Sequence, residues 1–535
     1  MKAALLKKNF FRYAFLMGSL LFLLGILWVN FHGGPWYDYD MYADLRVSEL
    51  MAQQRSLFPE GWIFGNQYYV IATPVVAALF QSLGFGSLLS MSFASCLMTA
   101  IIVFSFLWCC KPFLSRRALA TGLFCLVGAV IVADSAASNT FGLQVFYTMA
   151  SYYACYLWGI LFHLGIYLRL RQGQKPPVFF VLIVLLSDLA FGMQSLRETL
   201  ILNLPLLLLD LLCLWRLGKN LRSSGFVLLS LVANIAGTRL ICLFPVQSAP
   251  IIEPVRFSLS PSTLSTRLSA CLQALFEISG LRYFHAEGAR RLLFFLALFY
   301  ILLVAAAVIL LVHRRDHSPA AHLLVFCLLS LLCVCGVGIF LFHTRAIYYF
   351  VWFLLASLCP AYLSDMLPEG CGKKLVLTGL LLAGMVSFVF HFGPDMRKYP
   401  RYEAFYTQLS ESLAEEGVDT LYLDFLTHPM LAACSGGRLR AGTVKYNFDD
   451  PAHPFCPYPH LRETDFFTHP DPEHARIVLS RSSFGGVSSL DYIRENASPA
   501  YQAALEDMLI PVRTESLDYM TLVFYRFKDP SVIVP

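Results

Sequence analysis

A dozen hydrophobic runs dominate this 535-residue chain, at about 12–31, 68–83, 87–110, 118–133, 146–168, 178–193, 199–215, 225–244, 291–312, 320–342, 346–364 and 374–391. Most approach the roughly 20 residues that a helix needs to cross a hydrocarbon core. Inside lipid every backbone N–H and C=O must be satisfied within the segment, so runs of this length fold as helices. Only 14% of the residues are charged, where a soluble domain carries about 25%. The expected fold class is a polytopic α-helical membrane protein with about 11-12 transmembrane helices and a small C-terminal α/β domain.

Charge divides the chain in two. Residues 393–535 hold 13 Lys+Arg against 20 Asp+Glu, and residues 1–392 hold 27 against 15. The basic residues of the body sit in short loops, at Lys111/Arg116/Arg117, Arg169/Arg171/Lys175, Arg216/Lys219/Arg222, Arg314/Arg315 and Lys373/Lys374. Basic charge spread over loops, not gathered in one stripe, argues against a nucleic-acid partner. All five loops face the cytoplasm if the 68–83 run, with Pro74 and the Gly84-Phe85-Gly86 bend, is re-entrant or interfacial. The first run follows Lys2, Lys7, Lys8 and Arg12 and reads as a retained signal-anchor with a cytoplasmic N-terminus. The expectation is therefore a multi-pass plasma-membrane protein. External loops run at 32–67 and 245–290, and the 393–535 domain is extracytoplasmic.

The polar residues with chemical potential fall in those external segments. Gly33-Gly34-Pro35-Trp36-Tyr37-Asp38-Tyr39-Asp40 sets two carboxylates between aromatics just outside the first helix. Asp134 ends the fourth run, Arg197 and Glu198 interrupt two apolar runs, and His343, Arg345 and Tyr348 cap two others. Arg197 either pairs with Glu198 or snorkels to the interface. The tyrosines Tyr39, Tyr69, Tyr153 and Tyr348 read mostly as an aromatic belt. Leu268, Leu272, Leu275 and Phe276 are spaced as one face of an amphipathic helix lying on the membrane. Asp188 lies inside the sixth run and is the most costly acid in the body.

In the tail, Tyr402 to Glu416 has a helical pattern that Gly417 stops, and segments starting at Thr420, Arg476 and Thr521 read as strands. Cys434 and Cys456 form one disulfide or remain two thiols. No phosphate-binding glycine loop, serine nucleophile elbow or zinc spacing is present in the sequence.

This layout resembles the GT-C superfamily of membrane glycosyltransferases. That group includes the dolichyl-phosphate-mannose protein mannosyltransferases and the lipid-A aminoarabinose transferases. Asp38-Tyr39-Asp40 matches the family's acidic motif in the first external loop, Asp44 to Met51 its surface helix, and Tyr68 to Phe80 its Pro-containing segment. Asp134 sits where the family often has a second acidic residue, and the tail from Leu423 to Arg440 is similar to external domains of uncharacterised bacterial members. The chain lacks the family's His-Pro-Pro type sequence and the Trp-Trp-Asp signature of asparagine-linked transfer.

The resemblance implies transfer of a sugar from a polyprenyl-phosphate-linked donor to a glycan, lipid or protein acceptor, with inversion. Asp38 would be the base, and Asp40 would orient it or help to hold a divalent cation (Mg or Mn). Arg197 and Arg345 would clamp the donor phosphate. Two other classes stay open, a transporter or flippase for a lipid-linked glycan and a membrane glycan polymerase or ligase. Asp188 is the best single residue for the transporter, and the arginines of 245–290 are a partial match to the polymerase.

Overall fold

The computed structural model describes residues 2–32, 39–128, 146–148, 151, 153–218, 220–249, 257–288, 291–341, 345–427, 429–468, 470–482, 487–518 and 520–533. Asp38, Asp134 and His343 lie outside these described residues. The helices are α1 (Lys2–His32), α2 (Tyr39–Gln54), α3 (Thr73–Ser82), α4 (Ser87–Cys110), α5 (Arg116–Gly128), α6 (Ala154–Arg171) and α7 (Val178–Gln194). They continue as α8 (Leu204–Leu217), α9 (Leu221–Leu240), α10 (Pro261–Ile278), α11 (Arg291–Arg314), α12 (Pro319–Phe340), α13 (Val351–Met366) and α14 (Cys371–Glu415).

The fold is that of a polytopic helical protein. Among the described residues, eight helical segments are long and apolar enough to cross a membrane, fewer than the eleven or twelve expected from the hydrophobic runs. Part of the difference is α3. Its ten residues span about 15 Å, half of a hydrocarbon core. Pro74 starts it, and Gly84, at a φ of +93°, turns the chain into α4. A side chain at that φ would be strained. The 68–83 run therefore makes a short hairpin against α2 and α4.

The five basic loops meet at one end of the bundle. Arg117 pairs with Glu369 at 2.7 Å, and Ser115 bonds Asp365. Arg171 donates to the carbonyls of Cys213 and Gly218. Arg169 lies 3.9 Å over the Trp108 ring. The tail lies at the other end, reached through α14, a continuous 45-residue helix that runs through residue 393 without a break.

The tail carries a six-stranded sheet, ordered β5-β4-β3-β7-β9-β8. Its strands are β3 (Thr420–Leu423), β4 (Arg440–Tyr446), β5 (Phe455–Pro457), β7 (Ala475–Ser482), β8 (Leu509–Leu517) and β9 (Met520–Phe527). The three expected strands correspond to β3, β7 and β9. Cys434 and Cys456 are free thiols.

A second, small sheet stitches the tail to the body. β1 (Trp62–Phe64) pairs in parallel with β2 (Gln247–Ser248) and antiparallel with β6 (Arg462–Glu463). One ion pair crosses the seam, Arg46 of α2 to Glu463 of the tail at 2.8 Å, with Glu49 beside Arg46 and Arg440 beside Glu463 at 2.7 Å. The three strands come from regions far apart in sequence, and none announces itself by length.

Inside the bundle, α7 and α9 approach more closely than side chains would allow. A Cβ on Gly192 would sit 1.9 Å from the Asn234 carbonyl oxygen, and one on Gly237 2.0 Å from that of Leu189. Small residues at such crossings let two backbones touch. Next to this contact the chain makes a π-helical turn, Thr199–Asn203. Pro205 lacks the N–H that would bond the Ile201 carbonyl, and the Ser330 hydroxyl supplies that bond at 2.7 Å.

Candidate functional site

Asp40 stands in the first turn of α2, where the helix dipole favours a carboxylate. The helix behind it is sunk into the protein, with Met41 to Leu45 all buried. Asp40 itself is exposed. Its charge reaches four tyrosines from four parts of the chain, namely Tyr39, Tyr69, Tyr153 and Tyr458. Burial, and then Asp40, pushes the Tyr39 and Tyr458 hydroxyls above their usual range. Tyr69 is raised by burial and by Asp44, whose carboxylate it hydrogen-bonds. These phenols remain protonated, so they can donate hydrogen bonds.

Arg197 comes to the same place from the turn after α7. One guanidinium N–H donates to Gln67 Oε1 at 2.7 Å. The group lies 4.7 Å over the Tyr153 ring and 5.5 Å from those of Tyr156 and Tyr348. Stacking and one bond fix the plane while leaving further N–H groups of the fork for an anion. Gln194 sets the position of this turn. Its side-chain oxygen accepts from Val70 N–H at 2.9 Å and Ile71 N–H at 2.7 Å, and its carbonyl accepts from Tyr68 N–H at 3.0 Å.

The tail covers one side of this site. The Tyr39 hydroxyl donates to the carbonyls of His460 and Leu461 at 2.7 and 3.0 Å. Its ring meets Phe425 and Tyr458 edge-on at 5.2 and 5.3 Å. Arg345 is exposed at the start of a short 3-10 turn, within electrostatic reach of Tyr458. Beside that turn lies α10, held by a Tyr349 hydroxyl bond to Cys271 Sγ at 3.0 Å. Its Leu268, Leu272 and Phe276 are exposed among the described residues, whereas Leu275, the fourth residue of the expected face, packs against the core.

Asp40, Arg197 and Arg345 thus share one end of the molecule. Asp38 and Asp134 lie outside the described residues. Arg197 and Glu198 form no ion pair among the described residues. Of the tyrosines expected as a belt, Tyr153 and Tyr348 stack on Arg197 and the Tyr39 hydroxyl is held by the tail. Gln67, Gln194, Phe425 and Tyr458 carry no sequence signal that marks them. Tyr458 sits in the Pro-rich stretch 449–472, which has no periodicity to place it.

A second polar cluster is buried between helices. His163 of α6, Asp188 of α7 and Glu198 offer three ligand atoms within 4.8 Å of one another. All three side chains are buried. No protein-family model matches the chain, and neither does any curated protein.

Proposed function

We propose that the chain is a membrane glycosyltransferase of GT-C type. It would move a sugar from a polyprenyl-phosphate-linked donor to a glycan, lipid or protein acceptor at the outer membrane face. The observation that carries the reading is the convergence of Asp40, Arg197 and Arg345, under a tail lid, beside an amphipathic helix with an exposed apolar face. A carboxylate and two guanidinium groups are the minimum set for deprotonating an acceptor and stabilising a departing phosphate.

In this reading Asp38 takes the acceptor proton and Asp40 orients it. The Tyr458 hydroxyl is a donor for a sugar hydroxyl, and the Tyr39 and Tyr69 hydroxyls, whose hydrogens go to the His460/Leu461 carbonyls and to Asp44, can only accept from one. Arg197, pre-set by Gln67 and Tyr153, binds phosphate oxygens, and Arg345 supplies further positive charge at the rim. The exposed face of α10 covers the donor's lipid. A Mg2+ or Mn2+ ion would be held by Asp38 and Asp40, because Asp44 is buried and engaged by Tyr69. Such an ion would supply positive charge to the leaving phosphate.

The test is complementation of a strain lacking the gene with Asp38→Asn and Asp40→Asn, comparing surface glycan and lipid profiles. Loss of a wild-type glycan in both supports the reading, whereas full restoration by both ends it. A transporter or flippase for a lipid-linked glycan is the second reading. The buried His163, Asp188 and Glu198 favour it, since intramembrane ionisable groups often mark ion paths.

A further inference from the structure

His163 Nδ1 lies 2.7 Å from the Gly159 carbonyl oxygen, which can only accept, so Nδ1 carries a hydrogen. In the neutral ring Nε2 is then a lone pair, and it faces Asp188 Oδ1 at 2.8 Å. Two acceptors sit at that distance only with a proton or a metal ion shared between or beside them. Among the described residues, Asp188 Oδ2 and Glu198 Oε1 are also buried with no hydrogen-bond partner. Asp188 and His163 have no exposed surface, and Glu198 has 1%.

The neighbouring groups do not supply the missing charge. Arg197, next in the chain, faces away from the cluster, toward Gln67 and the tyrosines. Asn234 gives its amide to Glu198 Oε2 at 2.8 Å and to the Asp188 carbonyl at 3.3 Å. Its own oxygen accepts from the Thr199 hydroxyl at 2.6 Å. Asn234 therefore orients a carboxylate without neutralising it, which is what an outer-shell partner of a metal ligand does.

We infer that His163, Asp188 and Glu198 bind one divalent transition-metal ion, of the Zn2+ or Mn2+ kind. Two buried carboxylates need two positive charges, and one proton would leave the centre net anionic. One imidazole nitrogen with two carboxylate oxygens suits a borderline metal better than Ca2+ or Mg2+, which prefer oxygen alone. The second nitrogen of His163, donating to a backbone carbonyl, is in the arrangement usual for a metal-bound histidine. Held this way, the ion ties α6, α7 and the π-helical turn together and fixes Glu198, hence the backbone of Arg197. The inference does not depend on which transport or transfer reaction the chain performs.

The test uses the full-length, untagged protein purified in detergent. Metal content by mass spectrometry should approach one equivalent per chain of a divalent transition metal, as expected when binding and folding are coupled. It should fall to background in Asp188→Asn and His163→Gln. Chelator-stripped wild type should gain thermal stability on addition of Zn2+ or Mn2+ but not Mg2+. Metal-free wild type with no thermal response to Zn2+ or Mn2+ would overturn the inference and leave the cluster holding protons. Unchanged metal content in variants that elute as monodisperse protein would also overturn it. If the variants fail to fold, the wild-type stoichiometry and thermal response decide.

Discussion

Arg197 and Glu198 are adjacent in the chain and serve two unlike regions. Arg197 turns to the tail-side face, where Gln67, Tyr153, Tyr156 and Tyr348 hold it. Glu198 turns inward, to Asn234 and the ligand cluster with His163 and Asp188. The face is assembled from loops and a tail hundreds of residues apart, and Arg197 there carries N–H groups beyond the one given to Gln67. The interior is assembled from helix registers, and among the described residues Asp188 Oδ2 and Glu198 Oε1 have no hydrogen-bond partner. One turn of chain thus separates a guanidinium held at the tail-side face from a carboxylate in the buried cluster.

The comparison breaks most sharply at Arg197. Removing this guanidinium with Arg197→Ala should lower transfer by about 100-fold or more, by analogy with deleting one transition-state donor. Metal content should stay at the wild-type level, and a parallel loss would mean that the two regions are one unit. Gly192→Ala attacks the interior instead. Its Cβ would meet the Asn234 carbonyl oxygen, so α7 and α9 must part, at a cost of about 1–3 kcal/mol. The melting temperature should fall, whereas Gly225→Ala, with open space around it, should leave it equal or higher.

The smallest effect is expected where the tail caps the face. Tyr39→Phe removes the one hydroxyl hydrogen shared by the His460 and Leu461 carbonyls, costing about 0.5–1.5 kcal/mol. Limited proteolysis should then cut faster in residues 449–468, with helix content unchanged. Equal proteolysis rates would show that the small β1–β2–β6 sheet alone carries the seam.

Hydrophobic patterning made the helical body legible, because runs near 20 residues admit few structures. Leu268, Leu272 and Phe276 likewise announced the exposed face of α10, since helix period is local information. The strands β3, β7 and β9 were readable for the same reason. Legibility ended where partners are distant. The two-residue strands β2 and β6 exist only through their pairing with β1. His163 looked like one more residue of an apolar run, and only the α6–α7 register sets it against Asp188. The sequence leaves Arg197 open between pairing with Glu198, snorkelling and binding phosphate, because neighbours in sequence suggest neighbours in space without fixing them. The π-helical turn and the Gly192–Gly237 contact send them apart.

The most direct measurement is the lipid-linked sugar pool of membranes, read by mass spectrometry. It compares a strain lacking the gene, complemented in turn by wild type, by Asp40→Asn and by an empty vector. A transferase working through the tail-side face predicts one polyprenyl-phosphate-linked sugar that accumulates with the vector and with Asp40→Asn and is cleared by wild type. An identical donor pool in all three would contradict the account.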